Sequence, residues 1–166
     1  MKTVYLDNAA TTPIDKEVIA TMQTSMAENF GNPSSTHQFG RKAKSAVETA
    51  RKNIARFFNV TAQEIIFTSS GTEADNLILN NAVLNLGTQR VITSKIEHHA
   101  VLHTCNYLQE TYNIVVDFVE LDENGGININ HLERLLQNSK QKTLVSLMMI
   151  NNEIGNLLPL EKVSLL

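Results

Sequence analysis

The chain has 166 residues, 42% of them hydrophobic and 19% charged, a globular balance with room for a buried core and no sign of disorder or a fibrous repeat. Its net charge of −3, with Lys and Arg dispersed, leaves no electrostatic footprint for nucleic acid. The single cysteine, Cys105, excludes an internal disulfide framework. No run resembles a signal peptide or approaches the roughly 20 apolar residues of a membrane helix, so the expected compartment is the cytoplasm.

In chain order, residues 3–6 form a short apolar stretch, and residues 7–13 (Asp-Asn-Ala-Ala-Thr-Thr-Pro) are too small and polar for a core. Asp15 can cap a helix reaching about Asn29, in which Val18, Ile19, Met22 and Met26 fall at helical spacing and read as a core stripe with Met as filler. Residues 30–35 (Phe-Gly-Asn-Pro-Ser-Ser) make a loop. A long amphipathic helix follows from near Thr36 to Phe58. Phe39, Ala43, Ala46, Val47, Ala50, Ile54 and Phe57 are its expected buried stripe. Arg41, Lys42, Lys44, Glu48 and Arg51 should face water or a partner.

Thr61 and Glu64 have capping-box spacing. Residues 64–67 (Glu-Ile-Ile-Phe) read as a buried strand, and residues 69–72 (Ser-Ser-Gly-Thr) as a turn into a helix that carries Leu77, Leu79, Val83 and Leu84 and stops at Leu86-Gly87. Then come a strand over 90–94, a helix over 100–111, a strand over 114–119 and a Gly125-Gly126 turn. A helix over 130–137 and a strand over 143–149 complete the series. Helices alternating with buried-type strands predict an α/β fold, a mainly parallel sheet flanked by helices. No repeat, low-complexity tract or linker divides residues 1–166.

A strand entering a helix through small residues leaves backbone N–H groups pointing out at the positive end of the helix dipole, a seat for phosphate. The hydroxyls of Ser70 and Thr72 add donors there. In open α/β sheets ligands collect at the carboxyl ends of strands. Three polar clusters fall just past expected strand ends, at residues 69–72, 97–99 (Glu-His-His) and 151–153 (Asn-Asn-Glu). Parallel neighbouring strands would bring them to one rim. Of the histidines, His98 lies nearest the strand end. His99 and His103 are spaced as surface or cap residues on the following helix. A zinc site lacks a closing set of ligands. Cys105, inside that helix, reads as a buried, inert thiol. No G-x-G-x-x-G follows a strand and no P-loop is present, which argues against dinucleotide binding and nucleoside triphosphate hydrolysis.

Five segments together are similar to a known family. Residues 5–13 (Tyr-Leu-Asp-Asn-Ala-Ala-Thr-Thr-Pro), residues 30–35 with His37 and Gly40, residues 67–76, Glu97-His98, and residues 151–155 (Asn-Asn-Glu-Ile-Gly) resemble, in order, the signatures of cysteine desulfurases of the NifS/IscS group. These are class V aminotransferase-like enzymes of fold type I. The resemblance implies pyridoxal 5′-phosphate as cofactor, L-cysteine as substrate, and L-alanine and an enzyme persulfide as products. It gives Gly71 and Thr72 the cofactor phosphate, His98 the face of the pyridine ring and a part in proton transfer, and Asn152 the neighbourhood of the phenolic oxygen and substrate. It further implies, for the complete enzyme, a homodimer and a sulfur-acceptor protein or scaffold that serves iron–sulfur cluster or thiocofactor biosynthesis.

The family pattern continues beyond residue 166. No Ser-x-His-Lys segment with the Schiff-base lysine occurs here, nor a loop cysteine to carry sulfur, and Cys105 lies in another motif. Residues 161–166 read as the start of a helix. The expectation is therefore an N-terminal portion of a fold type I large domain, an incomplete domain with an unpaired sheet edge and exposed apolar surface. Residues up to about 15 would belong with the small domain of a complete enzyme. Such a chain should not turn over alone. A selenocysteine lyase or other lyase of the same fold is the near alternative, and a non-catalytic half-domain that binds a partner is the distant one.

Overall fold

The computed structural model describes residues 2–138 and 140–166. The chain divides into two compact units, Met1–Phe67 and Thr68–Leu166.

In the first unit, helix α1 spans Lys16–Glu28 and helix α2 spans Gln38–Phe58. Asp15 caps α1 as its sequence position predicts, accepting the Glu17 N–H at 2.8 Å. The stripe on α1 is a correction: Val18, Ile19 and Met22 are exposed and Met26 is 76% exposed. Helical spacing marks a face fit for burial, but burial needs a partner, and among the described residues nothing covers this one. The same holds along α2, where only Gly40, Ala43 and Ala55 are buried. Phe39, Val47, Ile54 and Phe57 stand exposed.

The loop before α2 folds tightly onto its first turn. His37 caps the helix, its Nδ1 accepting the Gly40 N–H at 3.3 Å. A Cβ on Gly40 would lie 2.3 Å from the Ser35 carbonyl oxygen, so only glycine fits. Arg51 does not simply face water. Its Nε donates to Glu48 Oε1 at 3.3 Å, its Nη1 donates to the Ile65 carbonyl, and its guanidinium sits 4.7 Å from the centroid of Phe67. Around it, Ala62–Glu64 is a single 3₁₀ turn, with the Thr61 N–H and hydroxyl both donating to Glu64 Oε2 at 2.7 Å. These two bonds hold the Glu64 carboxyl below its ordinary pKa. The strand expected over 64–67 does not form. Ile65 is extended, but residues 65–67 pair with no strand among the described residues, and Ile66 is 71% exposed.

The second unit holds the sheet. Helix α3 spans Gly71–Leu84, strand β1 Arg90–Ser94, helix α4 His99–Tyr112, strand β2 Val115–Val119, helix α5 Ile129–Gln137, strand β3 Thr143–Val145 and helix α6 Leu160–Val163. β3 is shorter than the strand expected over 143–149. The three strands are parallel in the order β2-β1-β3, with Arg90 opposite Val115 on one side and Thr143 on the other. The chain thus steps from β1 one way to β2, then back past β1 to β3. With right-handed crossovers the rule, reversing direction moves the connecting helix to the other face.

Two core clusters record that reversal. Val91 of β1 packs with Leu79 of α3 and Val101, Cys105 and Leu108 of α4, whereas Ile92 packs with Val119 and Leu132 of α5. Successive side chains of one strand point to opposite faces, so adjacent residues belong to different cores. Gly87, at φ +70°, ends the α3 segment as predicted. Arg90, buried at the start of β1, donates to Asp117 Oδ2 of β2 and to the Leu135 carbonyl of α5, both at 2.6 Å. The predicted fold class holds: a mainly parallel sheet flanked by helices, with β2 and β3 as open edges among the described residues.

Candidate functional site

Ligand crevices in such sheets open where the chain order reverses, at the carboxyl ends of the strands. Here that point lies between β1 and β3, and two side chains span it. Glu97, past the end of β1, accepts the Ser94 hydroxyl at 2.8 Å and the Met148 N–H at 2.9 Å through one oxygen, Oε1. Asn151, past β3, donates its amide to the Ile96 carbonyl at 2.7 Å, while its Oδ1 accepts the N–H groups of Glu153 at 2.9 Å and Ile154 at 3.0 Å. Both residues are buried. Burial pushes the Glu97 carboxyl up from its ordinary pKa, and the charge of Asp75 adds to it, against the lowering by its two hydrogen bonds.

These links fix the backbone from which α4 starts. His98 is its cap, Nδ1 accepting the Ala100 N–H at 3.1 Å. A nitrogen that accepts carries no proton, so in this geometry the ring N–H is at Nε2. At α3 the cap is Ser70, whose hydroxyl oxygen accepts the Glu73 N–H at 3.2 Å. The Glu73 carboxylate turns back to Ser69, whose hydroxyl and N–H donate to Oε2 at 2.6 Å, and these two bonds lower its pKa. The N–H groups of Gly71 and Thr72 make no hydrogen bond to the described residues. They are the orphan donors of a helix start, beside the positive end of its dipole.

Thr72 and His98 meet on one hollow of about 450 Å³, lined also by Asn76, Ala100, Thr104, His99, His103 and Tyr107. Asn76 on α3 donates to the Thr72 carbonyl at 2.7 Å and accepts from the Thr104 hydroxyl on α4. The structure therefore brings together two of the predicted site residues, with Gly71 next to Thr72 in the chain. Asn152 is not among the residues lining this hollow. It is exposed on the turn after β3, next to Asn151 in the chain, and its amide donates to Glu153 Oε1 at 2.9 Å.

The rings of His99 and His103 stand 5.2 Å apart on the exposed face of α4. Cys105 is fully buried, and burial together with the charge of Glu97 pushes its thiol up to about 11, so it stays protonated near neutrality. Sequence reasoning missed Asn76, Thr104 and the bridging parts played by Glu97 and Asn151. The one available signal was an asparagine four residues after Thr72 inside a helix, where its amide can reach back to a carbonyl.

The model of the aminotransferase class-V family matches residues 4–166. The chain belongs to this family. Among curated relatives it is 43% identical to a cysteine desulfurase, IscS, of Dictyoglomus turgidum, over 97% of this chain and 41% of the relative. It is also 43% identical to a putative cysteine desulfurase of Bacillus subtilis, over 98% of this chain and 43% of that one. Among solved structures, a NifS-like protein superposes with a TM-score of 0.85 at 37% identity, over 95% of this chain and 43% of the other. A structure described as SspA in complex with cysteine gives 0.84 at 33% identity, over 97% of this chain and 46% of that one. The chain thus spans about two fifths of the length of the curated relatives it matches, and its fold is part of the class V, fold type I domain.

Proposed function

We propose that the chain is the N-terminal portion of a pyridoxal-phosphate-dependent cysteine desulfurase, which takes sulfur from L-cysteine and leaves L-alanine. The observation that carries this reading is the meeting of Thr72 and His98 on one hollow at the N-termini of α3 and α4. The donor set fits the cofactor. The unengaged N–H groups of Gly71 and Thr72 suit a phosphate dianion. The His98 imidazole, held by its cap bond, offers a flat ring and an Nε2 proton. When bound, pyridoxal phosphate supplies the electron sink for bond cleavage at the substrate's α-carbon.

In this reading Gly71 and Thr72 bind the phosphate, His98 orients the ring and holds or gives a proton at Nε2, and Asn152 donates its amide toward the phenolic oxygen and substrate. The Schiff-base lysine and sulfur-accepting cysteine would come from sequence beyond these residues, and the 166-residue chain alone would not turn over. The cysteine desulfurase relatives and the cysteine complex of one structural neighbour support L-cysteine as substrate. Delivery of sulfur to an acceptor protein or scaffold, a homodimeric cytoplasmic enzyme, and a small domain that includes residues up to about 15 belong to the same proposal.

The test is to read the gene past the codon for Leu166 and assay its whole product for L-alanine formed from L-cysteine. Alanine release is expected, and His98→Ala should lower it about a hundredfold or more, the usual span for a positioned acid–base group. A product that makes alanine from selenocysteine and not from cysteine would overturn the substrate assignment. A genuine stop after Leu166, with a native mass near 18.5 kDa, would remove catalysis from this protein.

A further inference from the structure

The first turns of α3 and α4 are joined by a line of polar contacts that crosses between the helices through one hydrogen bond, Thr104 to Asn76. The Asn76 amide donates to the Thr72 carbonyl at 2.7 Å. A carbonyl only accepts, so this bond fixes how the Asn76 carboxamide faces, with Nδ2 toward Thr72 and Oδ1 toward α4. There the Thr104 hydroxyl shares its one proton between Asn76 Oδ1 and the Ala100 carbonyl, 2.8 Å away. The Ala100 N–H in turn donates to His98 Nδ1 at 3.1 Å. Thr104 is buried and Asn76 half-buried, so water competes poorly for these bonds.

Ordinary helix pairing does not account for this line. α3 and α4 already pack through Leu79, Val101, Cys105 and Leu108. Apolar contact sets how close two helices lie, but it is non-directional and resists sliding along the helix axes only weakly. A directional bond near both N-termini does resist it.

We infer that Asn76 and Thr104 are positioning residues that set the N-terminus of α3 in register with that of α4, so that the Thr72 end and His98 reach one ligand together. The inference rests on the proposed reading of this hollow as the cofactor site. A ligand held at both ends is sensitive to the register, and a ligand held at the α3 end alone is not.

The experiment compares two probes, pyridoxal 5′-phosphate and inorganic phosphate, titrated into the 166-residue chain and its variants. Thr104→Val removes the hydroxyl at nearly constant volume and leaves Asn76 Oδ1 without its donor. It is expected to weaken pyridoxal 5′-phosphate about three- to tenfold, the value of one hydrogen bond, and to leave inorganic phosphate unchanged. Asn76→Leu breaks the same line from the other helix and should give the same split. Thr104→Ser keeps the hydroxyl and should restore wild-type binding of both probes. Equal weakening of both probes, or no change in either variant, would overturn the inference while the cofactor reading stands. A wild-type chain that binds neither probe would overturn that reading and this inference with it.

Discussion

Glu97 is a carboxylate inside the fold whose two hydrogen bonds do not fully offset its burial, so its pKa is raised. A raised folded-state pKa means that the folded chain holds this proton more tightly than the unfolded chain. The associated stability is complete below the unfolded value near 4.5 and is lost as pH rises through the folded value. Glu97→Gln keeps an oxygen that can accept from Ser94 and Met148 but has no proton to lose. Relative to wild type, the variant should therefore gain stability as pH rises above about 4.5, read from urea midpoints across pH 4 to 8. A midpoint difference that does not change with pH would contradict the assignment. None of this was visible in the sequence. Glu97 stands next to His98, and the ring drew attention because its chemistry is local. The partner of Glu97 on the other strand, Met148, is remote in sequence.

At the scale of elements, the sequence carried local signals well and burial poorly. Asp15, Gly87 and the Thr61–Glu64 pair each do what their positions predicted, because a cap or a left-handed residue acts within one turn. Residues 64–67 have strand composition yet form no strand, because pairing is non-local and no partner lies among the described residues. The α1 stripe fails for a similar reason. Two truncations separate periodicity from burial. Leu108→Ala, in a fully buried position of α4, should cost about 2–5 kcal/mol. Met26→Ala, on the open face of α1, should stay within about 0.5 kcal/mol by chemical denaturation. A Met26→Ala cost as large as that of Leu108→Ala would mean that α1 is covered in solution.

For the molecule as a whole, alternating helices and strands were enough to predict a parallel sheet flanked by helices, and with it a carboxyl rim as the place to look for a site. The order β2-β1-β3 then located the crevice between β1 and β3. The five motifs gave the family, and the match over residues 4–166 bears them out. Of the four site residues read from them, Thr72 and His98 share the hollow and Gly71 adjoins it, whereas Asn152 lies outside. Its motif is anchored by Asn151, whose buried amide pins the turn to the Ile96 carbonyl, a contact between residues remote in sequence that the motif alone does not disclose.

The proposed reading makes this chain the phosphate- and ring-holding portion of a pyridoxal phosphate site. The most direct measurement is a pyridoxal 5′-phosphate titration followed by NMR of the backbone amides and histidine rings. The amides of Gly71 and Thr72 and the imidazole of His98 should shift together along one saturating curve, while the ring of His131, outside the hollow, stays still. Shifts that miss either helix start, or that follow separate curves at α3 and α4, would contradict it.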